Sequence, residues 1–510
     1  MKSSTEPRVE KPASESMGIH EAARREKLRK IEELGFDPWG SRFDDHIAIG
    51  EIRSRESEIA TTESPDGDPR KTQSNGPKVR AAGRVRLQRK KGKLIFLDIQ
   101  DWTGQIQVFL GRKQVGEENW ALAECIDLGD LIGVDGELKR TRTGELTIFA
   151  EQVHFLSKSI EPPPEKHHGL TDPELRQRQR YVDLAYTEGV LETFLRRTKI
   201  VRSIRETLSG EGFVEVEGPT LHTIAGGAAA RPFATHHNAL DIPLTMRIAL
   251  ELHLKRLLVG GMERVFELGR VYRNEGISQK HNPEFTMLEV YQAYGDYRSM
   301  MDLTEKVIVD ALAALGQDSV ATWGEKTIDF SAPFARKTYD ELLQQKTGVA
   351  GDDVVGIKQL AESLGIETEG RHPDVIKSDL FEAKVEDALE GPIFVTDYPA
   401  SICPLTRRKR ENPELAERFE LFIQGMEIAN AYTELNDPDL QEKLFKTQLQ
   451  GQDEEDSMAK MDTDFIRALR HGMPPAGGLG IGIDRLIMLL TNQQSIREVI
   501  LFPLFKPETQ

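Results

Sequence analysis

Cysteine is almost absent from this chain. Two thiols, Cys125 and Cys403, serve 510 residues. That is too few for a disulfide framework or a cysteine-rich zinc centre, and it suits a reducing, cytoplasmic setting. Positive charge is also in deficit: 67 Lys and Arg against 84 Asp and Glu leave a net −17. Global charge therefore does not hold nucleic acid, and any RNA contact needs a local basic face. No apolar run reaches the roughly 18 residues of a membrane span, so no membrane partner is expected. Residues 1–18 lack the apolar core of a secretory signal. A P-loop GxxxxGK[ST], a strand–GxGxxG–helix unit and HExxH are all missing, and the pairs His167/His168 and His236/His237 lack metal-ligand spacing on a helix. What remains is a soluble globular chain, 38% hydrophobic and 30% charged, long enough for about three domains.

The pattern changes several times along the chain. Residues 1–18 read as a disordered tail. Residues 19–78 read as a helix with a basic cluster (Arg24, Arg25, Lys27, Arg29, Lys30), mainly a solvated face, and then a polar linker from Ser54 to Lys78. From Val79 the period becomes two. Five short strand patterns follow within residues 79–160, which suits a small closed barrel of the OB type. Its edges carry Arg84, Arg86, Arg89, Lys90, Lys91, Lys93, Lys139, Arg140 and Arg142, a local basic excess that favours single-stranded nucleic acid. Pro162–Pro164 mark a hinge over 161–180, and 181–510 read as one large domain of helices and strands.

Three segments of that domain are dense in residues that a core does not need. Phe266–Tyr294 reads strand, polar loop, strand. Its Arg273 suits a clamp on phosphate or carboxylate, and Phe285 suits base stacking. Phe419–Asp437 reads as two strands joined at Gln424-Gly425. Glu420 and Glu427 would be neighbours that repel unless a cation such as Mg²⁺ lies between them. Asn430, Tyr432 and Glu434 recur at period two and share a face, but strict alternation puts Glu427 on the other face, so a bulge or strong twist is required. Gly477–Leu490 reads as a glycine-rich strand entering a helix, with Arg485 at its start, where anionic phosphate is favoured.

In this order, after the helix that ends in Gly212-Phe213-Val214-Glu215-Val216 with Pro219, these segments resemble motifs 1, 2 and 3 of the class II aminoacyl-tRNA synthetases. From Val79 to Pro507 the chain is most similar to the lysyl branch. The strings AGGAAARPF (225–233), THHNALD (235–241), RNEGIS with HNPEFTM, NAYTELNDP (430–438) and GLGIGIDR (478–485) carry that likeness. The resemblance implies an α+β chain, with an OB-type anticodon-binding barrel preceding an antiparallel sheet flanked by helices, in a homodimer. It implies lysine–tRNA ligation from L-lysine, ATP and tRNA(Lys), with Mg²⁺ as cofactor and no membrane. Carried over, Gly227 and Glu251 would hold the α-amino group of lysine, and Arg273 its carboxylate and the α-phosphate. Glu289, Tyr291, Asn430, Tyr432 and Glu434 would line the side-chain pocket. Phe285 and Arg485 would sandwich adenine, with Glu275, His281 and Asn282 around the nucleotide. Glu420 and Glu427 would bind Mg²⁺. Phe96, Gln107 and Glu145 would read anticodon bases.

Some positions depart from that pattern: Leu250 for a common Pro, His253 for a Tyr, Cys403 for a Ser, and Gln88 for an Arg. Rival readings are an aspartyl- or asparaginyl-tRNA synthetase, a paralogue that lysylates elongation factor P, and a non-catalytic RNA-binding protein. Glu289 and Glu434 favour an ammonium over an aspartate side chain, with Glu434 the first choice for the ε-ammonium and Glu289 the second. The barrel argues against the paralogue, and the presence of Arg273, Arg485 and both acidic residues argues against lost catalysis.

Overall fold

The computed structural model describes residues 13–62, 73–164, 169–228, 230–449 and 462–508. They form two compact units, Met1–Thr171 with Val182–Glu188, and Asp172–Tyr181 with Gly189–Gln510, where length alone allowed about three.

The first unit opens with helix α1 (Ala13–Glu33). It begins inside the stretch expected as a tail, and residues 1–12 of that tail lie outside the described residues. The basic cluster on α1 is not simply a solvated face. Arg24 is buried and donates to the carbonyls of Leu128 and Ser159, both at 2.9 Å, while Lys27 meets Asp127 at 2.5 Å. The expected linker 54–78 also carries structure. A single turn spans Arg55–Glu58, and Ala60–Thr62 pairs antiparallel with Gln73–Asn75. The rest of that linker, residues 63–72, lies outside the described residues.

Strands β1 (Lys78–Lys91), β2 (Leu94–Gln100), β3 (Gln105–Gly111), β4 (Leu131–Arg140) and β5 (Leu146–Ser157) close a barrel in the order β1-β2-β3-β5-β4. Alternation drives it: Val79, Ala81, Val85, Ile95, Leu97 and Ile99 are buried while their neighbours face outward. Part of the basic edge serves structure instead of solvent. Arg84 donates to the carbonyl of Gly129 at 2.8 Å, and the Arg86 guanidinium lies 4.6 Å from the Tyr186 ring.

The expected hinge is partly helical. Pro173–Arg178 is a short helix capped by Asp172, whose carboxylate accepts from the Leu175 N–H at 2.7 Å. His167 and His168 lie outside the described residues.

In the second unit, helix α2 (Val190–Gly210) buries Phe194, Ile200, Ile204 and Leu208 on one stripe and precedes β6 (Val214–Glu215). Helix α3 (Glu251–Val259) leads to β7 (Arg264–Tyr272), β8 (Glu284–Ala293) and helix α4 (Tyr297–Ala314), which opens on a capping box of Asp296 and Ser299. Strands β9 (Ala335–Thr338), β10 (Ile393–Thr396), β11 (Arg418–Ile423), β12 (Met426–Thr433) and β13 (Ala476–Gly482) follow, and helix α5 (Ile483–Thr491) leaves the last of them. The eight strands lie in the order β9-β10-β11-β12-β13-β8-β7-β6. The sheet is mixed, not antiparallel throughout. Both outermost pairs, β9 with β10 and β7 with β6, run parallel, and the pairings between them are antiparallel. One core cluster joins α2, α4 and α5 with inward residues of the sheet such as Phe266, Leu288, Phe419 and Ile481. No helix among the described residues is long and apolar enough to cross a membrane.

Candidate active site

The floor of the site is three strands wide. In the register of β8, β13 and β12, Glu289, Gly480 and Asn430 form one rung, and Tyr291, Gly478 and Tyr432 form another. Glycine in the middle strand leaves a trough between the bulky side chains on either side. A Cβ at 478 would strike the Glu434 carboxylate and lie 2.7 Å from the Tyr291 ring, so the trough depends on that glycine. Glu427 joins this face because β12 carries a bulge. Leu421 pairs with Ala429 but Phe422 pairs with Glu427, leaving Ile428 as the extra residue. The Asn430 amide accordingly donates to Glu427 Oε1 at 3.0 Å. The turn that sets this register is Gln424-Gly425, both at positive φ (51° and 66°), as a two-residue hairpin turn requires.

Two cavities lie over the floor. The first, about 270 Å³, is lined by Gly227, Glu251, Arg273, Glu289, Tyr291, Asn430 and Tyr432, together with Arg418, Cys403 and Thr406. Two carboxylates, Glu251 and Glu289, and two guanidinium groups, Arg273 and Arg418, share its wall. The buried Glu289 carboxylate accepts from the Leu250 N–H at 2.9 Å and from the Tyr291 hydroxyl at 3.0 Å. Burial, with Glu251 adding to it, pushes Glu289 up to about 7. Arg418 Nη1 donates to Cys403 Sγ at 3.3 Å, so the thiol fills an acceptor's position on the wall. Glu434, expected to line the pocket, is fully buried and does not line the cavity. Its strand has ended at Thr433, and its carboxylate is paired with the buried Lys255. Burial pushes Glu434 up to about 8 against the pull of Lys255.

The second cavity, about 260 Å³, takes in all the residues expected around a nucleotide: Arg273, Glu275, His281, Asn282, Phe285 and Arg485, with Glu427 and Lys280 beside them. The Arg273 guanidinium lies 5.2 Å from the Phe285 ring. Arg485 Nη1 donates to the Glu427 carbonyl at 2.9 Å, and its Nη2 meets His281 Nε2 at 2.8 Å. Burial and the Arg485 charge lower the His281 pKa, which leaves the ring neutral at physiological pH. Asn282 is buried, and its Oδ1 has no hydrogen-bond partner, an acceptor suited to an amino group entering the cavity. The two cavities share Arg273, Met287, Asn430 and Gly480. Whatever occupies one meets whatever occupies the other at Arg273.

Behind the second cavity, Asp484 accepts from Arg197 Nη1 at 2.6 Å and from the Thr286 N–H at 2.7 Å. A single carboxylate thus ties α2, β8 and α5 together. Glu420 is held by the Tyr398 hydroxyl at 2.7 Å and by Arg418. Burial raises its pKa, Arg418 opposes that, and Glu427 adds to the rise. Glu386 is pushed up to about 7 by burial and by Glu420. No group of three or more metal-ligating side chains gathers among the described residues. The chemistry of the pair still fits a hard cation: the Glu427 charge makes Glu420 harder to ionise, a dication would relieve that, and Mg²⁺ needs only one or two protein carboxylates when phosphate supplies the rest.

On the barrel, Phe96 (β2), Phe109 (β3) and Phe149 (β5) form a half-buried aromatic row with centroid spacings of 5.2 and 5.0 Å. Gln107 accepts from the Thr147 hydroxyl at 3.0 Å, Asp98 lies 3.8 Å from Arg89, and Glu145 is exposed.

Residues 172–506 match the family model for class II tRNA synthetases of the D, K and N type, and residues 79–156 match the OB-fold nucleic acid binding domain. Curated relatives match along nearly the whole chain. A lysine–tRNA ligase of Moorella thermoacetica is 48% identical over 96% of this chain and 98% of its own. One from Carboxydothermus hydrogenoformans is 48% identical over 95% and 97%, and one from Staphylococcus haemolyticus 46% over 96% and 99%. The chain belongs to the lysine–tRNA ligase family.

Measured against that membership, sequence reasoning on this lysine–tRNA ligase family chain missed residues with a clear structural part. Arg418 and Lys255 read as ordinary members of a strand and a helix. Glu386 sits in a short turn remote from the three motifs. The Arg197–Asp484 pair spans 287 residues, and no local pattern announces it. The rows Phe109 and Phe149 could have been found: period-two aromatics beside Phe96 on adjacent strands are a sequence signal for a stacking face.

Proposed function

We propose that the joined cavities catalyse the two steps of lysine–tRNA ligation, with lysine in the acidic cavity and ATP in the other. The observation that carries this reading is that Arg273 belongs to both. The lysine carboxylate and the α-phosphate must come together for the carboxylate oxygen to attack phosphorus in line, forming the acyl-phosphate bond and releasing pyrophosphate. A guanidinium at the junction can hold both anions and stabilise the charge that builds between them. Glu251 with Gly227 would take the α-amino group. Glu289, in contact with Tyr291, would face the side chain, with Tyr432 and Asn430 along it and Glu434 beneath the wall. Phe285 and Arg485 would hold adenine between them, with Glu275, His281 and Asn282 around the nucleotide. Glu420 and Glu427 would hold Mg²⁺, which when bound supplies positive charge to the phosphates. No protein nucleophile is required. The terminal ribose hydroxyl of tRNA(Lys) then attacks the carbonyl of lysyl-adenylate and releases AMP.

The barrel's part in this reading is anticodon recognition, with Phe96 as a stacking platform and Gln107 and Glu145 as polar readers. A homodimer and a cytoplasmic setting complete it. The edge position of β6 and the exposure of Val214 (52%) support an interface beside the helix α2 segment, and light scattering at a monomer mass would refute it. For the reaction, ATP–pyrophosphate exchange across the twenty amino acids is the direct test. Exchange with lysine is expected; exchange driven by aspartate or asparagine would sink the assignment.

A further inference from the structure

Lys255 on α3 is fully buried and lines neither cavity. Its Nζ lies 2.5 Å from Glu251 Oε1, also pairs with Glu434, and sits 5.5 Å from the centre of the Tyr432 ring. A buried ammonium is costly unless paired, and this one is paired twice. Three buried carboxylates, Glu251, Glu289 and Glu434, surround the amino-acid end of the site. A lysine molecule brings two ammonium groups, and Arg273 answers its carboxylate. Arg418 on the cavity wall is answered by Glu420. With all three carboxyls ionised, as two bound ammonium groups favour, three negative charges against two positive ones would leave one uncompensated among buried groups. Lys255 removes that excess: −3 + 1 = −2, equal and opposite to the two ammonium groups.

We propose that Lys255 is a positioning residue for lysine recognition, holding Glu251 and Glu434 from beneath the cavity and setting the acidic set to two net charges. An amino acid with two ammonium groups then neutralises the site, and one with a single ammonium does not. The inference rests on the lysine reading of the cavity given above. The groups facing the Glu434 carboxyl are Lys255 and Glu251 from α3, Glu289 and Tyr291 from β8, and Tyr432 from β12. Burial raises its pKa, the Lys255 charge pulls it down, and Glu251 and Glu289 push it up. Without Lys255 the carboxyl keeps its proton to higher pH, and the ionised form that lysine requires gathers only in more alkaline solution.

The test compares the full chain with Lys255→Met, Lys255→Gln and Lys255→Arg in lysine-dependent ATP–pyrophosphate exchange from about pH 6.5 to about pH 9.5. In the two neutral variants the KM for lysine is expected to rise about tenfold or more, with the KM for ATP within about twofold of the parent. Their kcat/KM for lysine should keep climbing with pH after the parent's has levelled. Lys255→Arg keeps the charge and should restore the parent's pH profile. Neutral variants with the parent's lysine KM and profile would overturn the proposal. So would an Arg variant as impaired as they are, since size and not charge would then be at issue. If the neutral variants do not fold, the Arg variant decides: a parent-like pH profile supports the proposal and a shifted one overturns it. A parent that shows no lysine-dependent exchange would instead refute the lysine reading, and this inference with it.

Discussion

The two cavities share a wall and an arginine but differ in how deeply their charges are buried. The amino-acid side is built from buried carboxylates, and one of them, Glu289, is pushed up to about 7 by loss of water. It waits for cations. The other side sets Arg273 and Arg485 beside an aromatic ring and an imidazole, with Glu275 and Glu427 also on its wall. On the proposed reading, burial would make the first selective, because an unpaired buried charge penalises every wrong guest. On the same reading, the two substrates would meet at Arg273, which lines both cavities.

Arg273 is where that separation should fail completely. Arg273→Ala should lower lysine-dependent pyrophosphate exchange by roughly 10²–10³ in kcat, the range seen when one charge-stabilising donor is lost. The KM values for lysine and ATP should both rise. A rise for one substrate alone would mean that the cavities do not meet there.

Glu289→Gln should separate them. It removes one carboxylate that lines the amino-acid cavity, and about 3 kcal/mol for a broken buried pair corresponds to roughly a hundredfold loss in kcat/KM for lysine. The KM for ATP should stay near the parent's. The same carboxyl makes a pH prediction. Its folded pKa, about 7, lies above its usual value of 4.5, so the folded chain holds a proton that the unfolded chain has released. Its contribution to stability therefore falls as pH rises from about 4.5 through about 7. Lysine binding offsets that loss. The rise in Tm caused by lysine should be larger at about pH 8 than at about pH 6, and the rise caused by ATP should not follow. Equal lysine shifts at both pH values would remove Glu289 from contact with an ammonium.

Phe285→Ala tests the other side. Loss of one stacking partner, about 1–3 kcal/mol, should raise the KM for ATP about tenfold and leave the KM for lysine unchanged. The smallest effect on exchange belongs to Phe96→Ala. Aminoacylation of tRNA(Lys) should weaken by a similar stacking loss while exchange stays at the parent's rate. Equal losses in both assays would join the barrel to adenylate formation.

How much of this was legible in the sequence follows the same division. The nucleotide cavity is built mainly from one loop and one strand–helix corner, so Arg273, His281, Phe285 and Arg485 stand out as polar and aromatic types where a core would have none. The barrel was legible because burial follows a period of two along β1 and β2. The amino-acid cavity was less so. Lys255 lies at i + 4 from Glu251 on an apolar helix and looks like a surface pair, and Glu434 continues the period of Asn430 and Tyr432 but falls beyond the strand's end. The sequence did require a bulge to bring Glu427 to the face of Asn430. Which residue supplies it, Ile428, is settled by pairing with β11, and that is a long-range choice.

The carboxylate of Asp484 bears on the chain's own synthesis. It fastens Arg197, made 287 residues earlier, to the backbone of Thr286. The nucleotide cavity therefore cannot take its final shape while residue 484 is still inside the ribosome. The barrel strands, by contrast, all fall within residues 78–157 and pair only with one another, so the last strand they need leaves the ribosome more than 300 residues before Asp484 does.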